Sequence, residues 1–194
     1  MVVLEFGSLA GKGGWRSDFP LSTGRQEYRL EMRGMGQCHP MLLVRLRTFL
    51  EWQQREGSEI DALLPTDPAV CAHLAEMRVF TDVAASLDQS IGKGIRGMRA
   101  VVPMTTVTDA AEIERLAEAA VGALEAVPGR VGRLANPLHM AISELGDNAV
   151  SHGRNDLGVR VACDVDPSAH EIRLAIGDLG GFGETHRTNN RGAV

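Results

Sequence analysis

The chain has 194 residues, 44% hydrophobic and 23% charged, a composition that supports one large folded core or two small ones. Its net charge of −5 argues against nucleic-acid binding, which needs a basic field, and no apolar run approaches the ~18 residues of a membrane span. The start, Met1 to Gly7, lacks a basic flank and a long apolar core and does not read as a secretory signal. Cys38, Cys71 and Cys163 are odd in number, scattered and outside any metal-ligand spacing, so reduced thiols in a cytoplasmic protein are expected.

Residues 1–26 are poorly patterned. Gly11-Lys12-Gly13-Gly14 has the residue types of a phosphate loop but not its spacing, and reads as a loop. Tyr28 to Met32 alternates like a strand. From Pro40 the pattern turns helical, with Met41, Leu42, Val44, Leu46, Phe49, Leu50 and Trp52, and Gly57 stands where a C-cap belongs. Ser58 to Pro65 reads as a short strand. Asp67 then caps a helix with Pro68 at its first position, running through Val70, Leu74 and Met77 to about Val79.

This helix–strand–helix run, residues 38–83, resembles the second half of a STAS-like domain, a module found in anti-sigma-factor antagonists and adaptors. The resemblance implies a small α/β lobe over residues 27–83. Phosphorylatable members carry Ser or Thr at the start of the first helix. Here that stretch reads Gly36-Gln37-Cys38-His39-Pro40-Met41, so no phosphoacceptor is expected there.

Residues 84–98 read as a linker, with three glycines and two basic residues between Ser90 and Gly97. A second unit, 99–194, opens with a strand from Arg99 to Val107, whose Pro103 suggests an edge position. Thr108-Asp109 caps a helix from Ala110 to about Ala126, with Ile113, Leu116, Ala117, Ala120, Val121 and Leu124 on one face, and Val127-Pro128-Gly129 ends it. Asn136-Pro137 looks like the N-cap and first-turn proline of the next helix, the alternative being an earlier start with a kink at Pro137.

That next helix has two stripes. Leu138, Ile142, Leu145 and Ala149 form an apolar one. Glu144, Asp147, Asn148 and Ser151 form a polar one of oxygen-bearing side chains without Lys or Arg, which suits Mg²⁺, a hard cation that takes few ligands from protein. An ordinary amphipathic helix ending at Gly153 would share the periodicity. Glu144-x-x-Asp147-Asn148-Ala149-x-x-His152-Gly153 also resembles the N box of the GHKL ATPase superfamily, which includes gyrase B subunits, sensor histidine kinases and anti-sigma-factor kinases. The resemblance implies ATP as cofactor, with Asn148 holding Mg²⁺ on the phosphates and Glu144 as general base or positioning group. Asp147, beside the adenine, and His152 are further candidates.

Val159 to Val165 and Glu171 to Asp178 are alternating strands joined by a turn at 166–170, an antiparallel hairpin. They deliver Asp178-Leu179-Gly180-Gly181-Phe182-Gly183 to a strand end. Asp178 and Gly180 match the Asp-x-Gly-x-Gly G1 box of the same superfamily, whose Asp binds the adenine amino group, while Phe182 stands in place of the second glycine. The expected fold is α+β: the STAS-like lobe, then a partial two-layer sandwich of the Bergerat ATP-binding type, with helices on one face of a mixed or antiparallel sheet. The lid and second Gly-rich box usual in the family have no counterpart before Val194.

Two functions follow from the resemblance. One is a bacterial regulatory ATP-binding protein, a serine/threonine kinase of the anti-sigma-factor type acting on a sigma-factor-antagonist-type partner, with a homodimer compatible. The other is a catalytically inactive module that works by protein–protein binding. A metal enzyme of another class would need converging histidines, and His39, His73, His139, His170 and His186 show no i, i+4 pairing.

Overall fold

The computed structural model describes residues 1–6, 19, 23–36, 38–81, 99–127, 133–153, 158–166 and 169–178. The expectations for Gly11–Gly14, the 84–98 linker, the turns at 128–129 and 167–168, Gly180 and Phe182 lie outside the described residues.

Strand β1 (Val2–Glu5), β2 (Glu27–Glu31) and β3 (Glu59–Leu63) form a parallel sheet in that order. β1 falls within the segment that the sequence left unpatterned. Four residues are too few to show a period, and it is the free edge of β2 that recruits them. Helix α1 (Pro40–Arg55) and helix α2 (Pro68–Glu76) bury Leu42, Leu43, Leu46, Phe49, Leu50 and Leu74 with Tyr28, Leu30 and Met32. Tyr28 meets Phe49 edge-on, with ring centroids 5.1 Å apart.

Helix α1 ends at Gly57 as the sequence suggests, α2 ends at Glu76, short of the expected Val79, and both close by the same device. After α1, Gly57 takes φ +73°, Gly57 N–H donates to Gln54 and Ser58 N–H to Gln53. After α2, Arg78 N–H donates to Ala75 and Val79 N–H to Leu74. These are Schellman closures, and in the second Arg78 takes the left-handed position, φ +53°, that normally favours glycine. Asp67 caps α2 by accepting from Ala69 N at 2.8 Å.

The second sheet is antiparallel, in the order β4 (Arg99–Val107), β5 (Val159–Asp166), β6 (Glu171–Gly177). Pro103 lies on an edge strand, within a register shift between Val102 and Thr105, so its missing N–H costs no ladder bond. Helix α3 (Ala110–Glu125) starts at Asp109, whose carboxylate accepts from Glu112 N at 2.8 Å while Glu112 accepts from Thr108 N at 2.7 Å. Helix α4 (Ala135–His152) begins before Asn136-Pro137, with Leu134 at the cap position and no side-chain cap. Pro137 therefore sits inside the first turn, where a backbone N–H has no intrahelical partner.

The expected coverage of one sheet face is incomplete: α3 and α4 cover one face of this sheet, and α1 and α2 cover the other. Val159, Val161, Cys163 and Val165 of β5 pack with Ile113, Ala117, Leu138 and Ile142. The alternate residues Arg160, Ala162 and Asp164 turn toward α1 and α2 and are equally buried, Ala162 and Ala175 joining the N-terminal core. Small residues let α1 approach closely. A Cβ on Gly177 would lie 2.9 Å from Val44 Cγ1. No described helix is long and apolar enough to cross a membrane.

Candidate functional site

The chemistry-bearing residues gather at one end of α4. Its orientation follows from three neighbours. His139 Nε2 lies 3.2 Å from Glu114 Oε1, Ser143 Oγ donates to Glu114 Oε2 at 2.9 Å, and a Cβ on Gly146 would stand 2.5 Å from Ile113 Cδ1. These spacings of four and three define the side that faces α3. Leu138, Ile142 and the partly buried Ala149 face the sheet, and Val150 continues the side toward α3. Glu144, Asp147, Asn148, Ser151 and His152 are all exposed.

At ~100° per residue, Asn148 and His152 lie on the flank opposite α3, with Glu144 close to the same arc. Because α3 sits over β4 and α4 over β5 and β6, this flank overhangs β6, an edge strand among the described residues. The apolar stripe read from the sequence needs one correction. Leu145 is 54% exposed on this open flank, and Gly146 takes the buried position instead. Packing against α3 leaves no room for a side chain at 146, and the helix turns Leu145 outward as a result.

Gly153 caps the end of α4 as expected, its N–H donating to Ala149 O, but not through a left-handed backbone. It follows α4 with φ −63° and ψ 132°, an extended conformation open to any residue. Its need for glycine is spatial: a Cβ there would run into Ala149 O and would lie 2.7 Å from Asp178 Oδ2. Asp178 follows β6 directly, in phase with Ile172, Leu174 and Ile176, which pack toward α3 and α4. The alternation of β6 thus aims its carboxylate at the end of the helix that carries Glu144, Asp147 and Asn148.

Behind the sheet lies a second polar cluster that periodicity does not reveal. Asp164 is fully buried and accepts two bonds from Arg173, at 2.7 and 2.9 Å. His73 Nε2 of α2 lies 3.1 Å from Asp164 Oδ2 but makes no hydrogen bond to it. Arg160, 1% exposed, pairs with Glu51 of α1, which also pairs with Arg47. Burial and then Arg47 push the Arg160 guanidinium down to about 10 while Asp178 draws it up, so it stays a cation at neutral pH. Read as sequence, Val159-Arg160-Val161-Ala162-Cys163-Asp164-Val165 is an ordinary half-exposed strand. The one available signal is the small residues Ala162, Ala175 and Gly177 on the charged face, where a solvated strand would carry longer polar ones.

Nearby thiols are suppressed as nucleophiles. Burial pushes Cys38 and Cys163 up to about 12, and it raises Cys71 as well. No group of three or more His, Cys, Asp or Glu suited to holding a metal occurs among the described residues. A Mg²⁺ held by one protein amide, phosphate oxygens and water needs no such group, and the exposed oxygen donors of α4, free of Lys and Arg, fit that mode. No protein-family model, curated protein or solved structure matches the chain.

Proposed function

We propose that the chain is a regulatory Mg-ATP-binding protein whose nucleotide lies along the open flank of α4, with a serine/threonine kinase activity of the anti-sigma-factor type. The observation that carries this reading is the meeting of Asp178 with Gly153 at the end of the helix bearing Glu144, Asp147 and Asn148. Asp178 would accept a hydrogen bond from the adenine amino group, as a carboxylate can. Gly180 would let the backbone turn beside it. Asp147 would order water next to the base, and the exposed Leu145 would supply apolar contact for it. Asn148 would hold Mg²⁺ with its amide oxygen, and the bound metal would neutralise phosphate charge. Glu144 would accept the proton of an attacking hydroxyl, from a partner protein or from water. His152 would contribute as a donor at the helix end.

A second reading, a non-catalytic module that docks a protein partner, draws on Met140 and Leu145, which are 65% and 54% exposed on the same helix. Calorimetry with Mg-ATP and Mg-ADP separates the two. Micromolar binding abolished by Asn148→Ala supports the nucleotide site. Absence of binding at millimolar nucleotide removes it and leaves the docking module.

A further inference from the structure

Helix α1 touches the end of β6 from the face opposite Asp178, and it also holds the β5 residue beside that end. Val44 packs against Gly177, the residue before Asp178, at a distance that admits no side chain there. One stretch further along α1, Glu51 pairs with Arg160, which stands directly across from Gly177 in the β5–β6 register. The Arg160 guanidinium also donates to Gly158 O at 3.2 Å, so it ties α1 to the start of β5 where β6 ends. Its side chain is 1% exposed, and its Nε has no acceptor among the described residues. Glu51 is fixed in turn by Arg47, whose guanidinium donates to the carbonyls of Val79 and Thr81 after α2.

The chain of contacts is continuous. It runs from the segment after α2, through Arg47 and Glu51, to Arg160, and reaches the strand end that presents Asp178. A buried guanidinium is sensitive to the carboxylate it pairs with, because removing Glu51 leaves the Arg160 charge less compensated away from water.

We propose that Glu51 and Arg160 are positioning residues that clamp the end of β6 from behind and so set the nucleobase selectivity of Asp178. This rests on the nucleotide reading of the Asp178 site. The base selected is one with an exocyclic amino group where Asp178 can accept its hydrogen, an aminopurine of the adenine kind. A base with a carbonyl oxygen at that position would face the carboxylate acceptor to acceptor.

The test compares ADP with GDP binding by calorimetry in wild type, Glu51→Gln and Leu74→Ala, with amide hydrogen exchange at Gly177 and Asp178 in nucleotide-free protein. Leu74→Ala truncates a buried α2 side chain and serves as a destabilised control outside the clamp. The expected result is a wild-type preference for ADP that shrinks about tenfold in Glu51→Gln and persists in Leu74→Ala, with exchange at Gly177 and Asp178 about tenfold faster in Glu51→Gln than at Leu174 and Ala175. A preference retained in Glu51→Gln overturns the clamp. Equal loss in both variants also overturns it, since general destabilisation would then suffice. If wild type binds neither nucleotide, the nucleotide reading falls, and the exchange measurement still decides the clamp: faster exchange confined to Gly177 and Asp178 supports it, and unchanged exchange overturns it.

Discussion

Gly153 lies against the Asp178 carboxylate, and the Ala149 carbonyl oxygen, into which its Cβ would run, leaves position 153 no room for a side chain. The Asp178 Oδ2 atom lies 2.7 Å from where a Gly153 Cβ would stand. The two belong to different elements, the end of α4 and the end of β6, and meet because α4 packs across both β5 and β6. Their contact joins the carboxylate of one sequence motif to the helix of the other.

Gly153→Ala should therefore force the end of α4 off the Ala149 carbonyl and push Asp178 away from α4. The overpacking is expected to cost about 1–3 kcal/mol of stability, and ATP affinity should fall at least about tenfold beyond any loss of folded protein. Calorimetry on protein shown folded by circular dichroism checks this. Affinity equal to wild type would place the nucleotide elsewhere.

Asp164→Asn breaks the buried pair with Arg173 while keeping side-chain size. Asp164 is fully buried and Arg173 14% exposed, so the loss is expected to reach at most the about 3–5 kcal/mol typical of breaking a buried ion pair. Because Asp164 joins β5 and β6 to His73 of α2, both halves should unfold together at lower urea. Tryptophan fluorescence and far-UV circular dichroism should give coincident transitions before and after the substitution. Separated transitions would mean that the halves fold independently.

His39 caps α1 by accepting from Met41 N through its Nδ1 at 3.2 Å. Burial first, and Arg173 next, hold its pKa below the usual histidine value, against the opposing pull of Asp164 and Glu171. The unfolded chain thus takes up a proton that the folded one resists. The stabilising contribution is complete above the unfolded value of about 6.5 and declines as pH falls through it, because protonated Nδ1 can no longer accept. The melting temperature should drop between pH 7.5 and 5.5, and drop less in His39→Asn, whose side chain caps a helix without titrating. Parallel pH profiles for the two proteins would remove His39 as the cause.

Native thiols should react unequally. Cys38 and Cys163 are buried and held at about 12, so at pH 8 they carry little thiolate. Cys71, which is only partly buried and also donates to Pro65 O at 3.2 Å, should be alkylated first by iodoacetamide. Mass spectrometry of peptides after brief labelling reads the order. Labelling of Cys163 ahead of Cys71 would contradict the burial of β5.

Gly146 sets the approach of α3 to α4. Gly146→Val should destabilise by about 1–3 kcal/mol through Ile113, whose Cδ1 and Cγ2 lie 2.5 and 2.9 Å from the position of a Cβ. Combining it with Ile113→Ala should recover part of the loss, giving a favourable coupling in a double-mutant cycle. Additive losses would show that the two side chains do not meet.

Local order was largely legible in the sequence. Asp67-Pro68 and Thr108-Asp109 mark helix starts because their side chains satisfy N–H groups within three residues, and Gly57 marks a helix end through its own backbone freedom. The β5–β6 hairpin and the edge position of Pro103 follow from alternation and a missing N–H, both short-range properties. The exposed arc of Glu144, Asp147, Asn148 and Ser151 likewise follows from helical period alone. What needed tertiary structure was every assignment that depends on a distant partner. Val2–Glu5 becomes a strand because β2 has a free edge, and Leu145 turns to solvent because Ile113 claims the space at Gly146. Arg160 and Asp164 have the spacing of solvent-facing residues and are buried because α1 and α2 bring Glu51 and His73 to them across the back of the sheet. A period reports which residues share a face. Whether that face meets water or another helix is decided by charge and volume contributed from elsewhere in the chain.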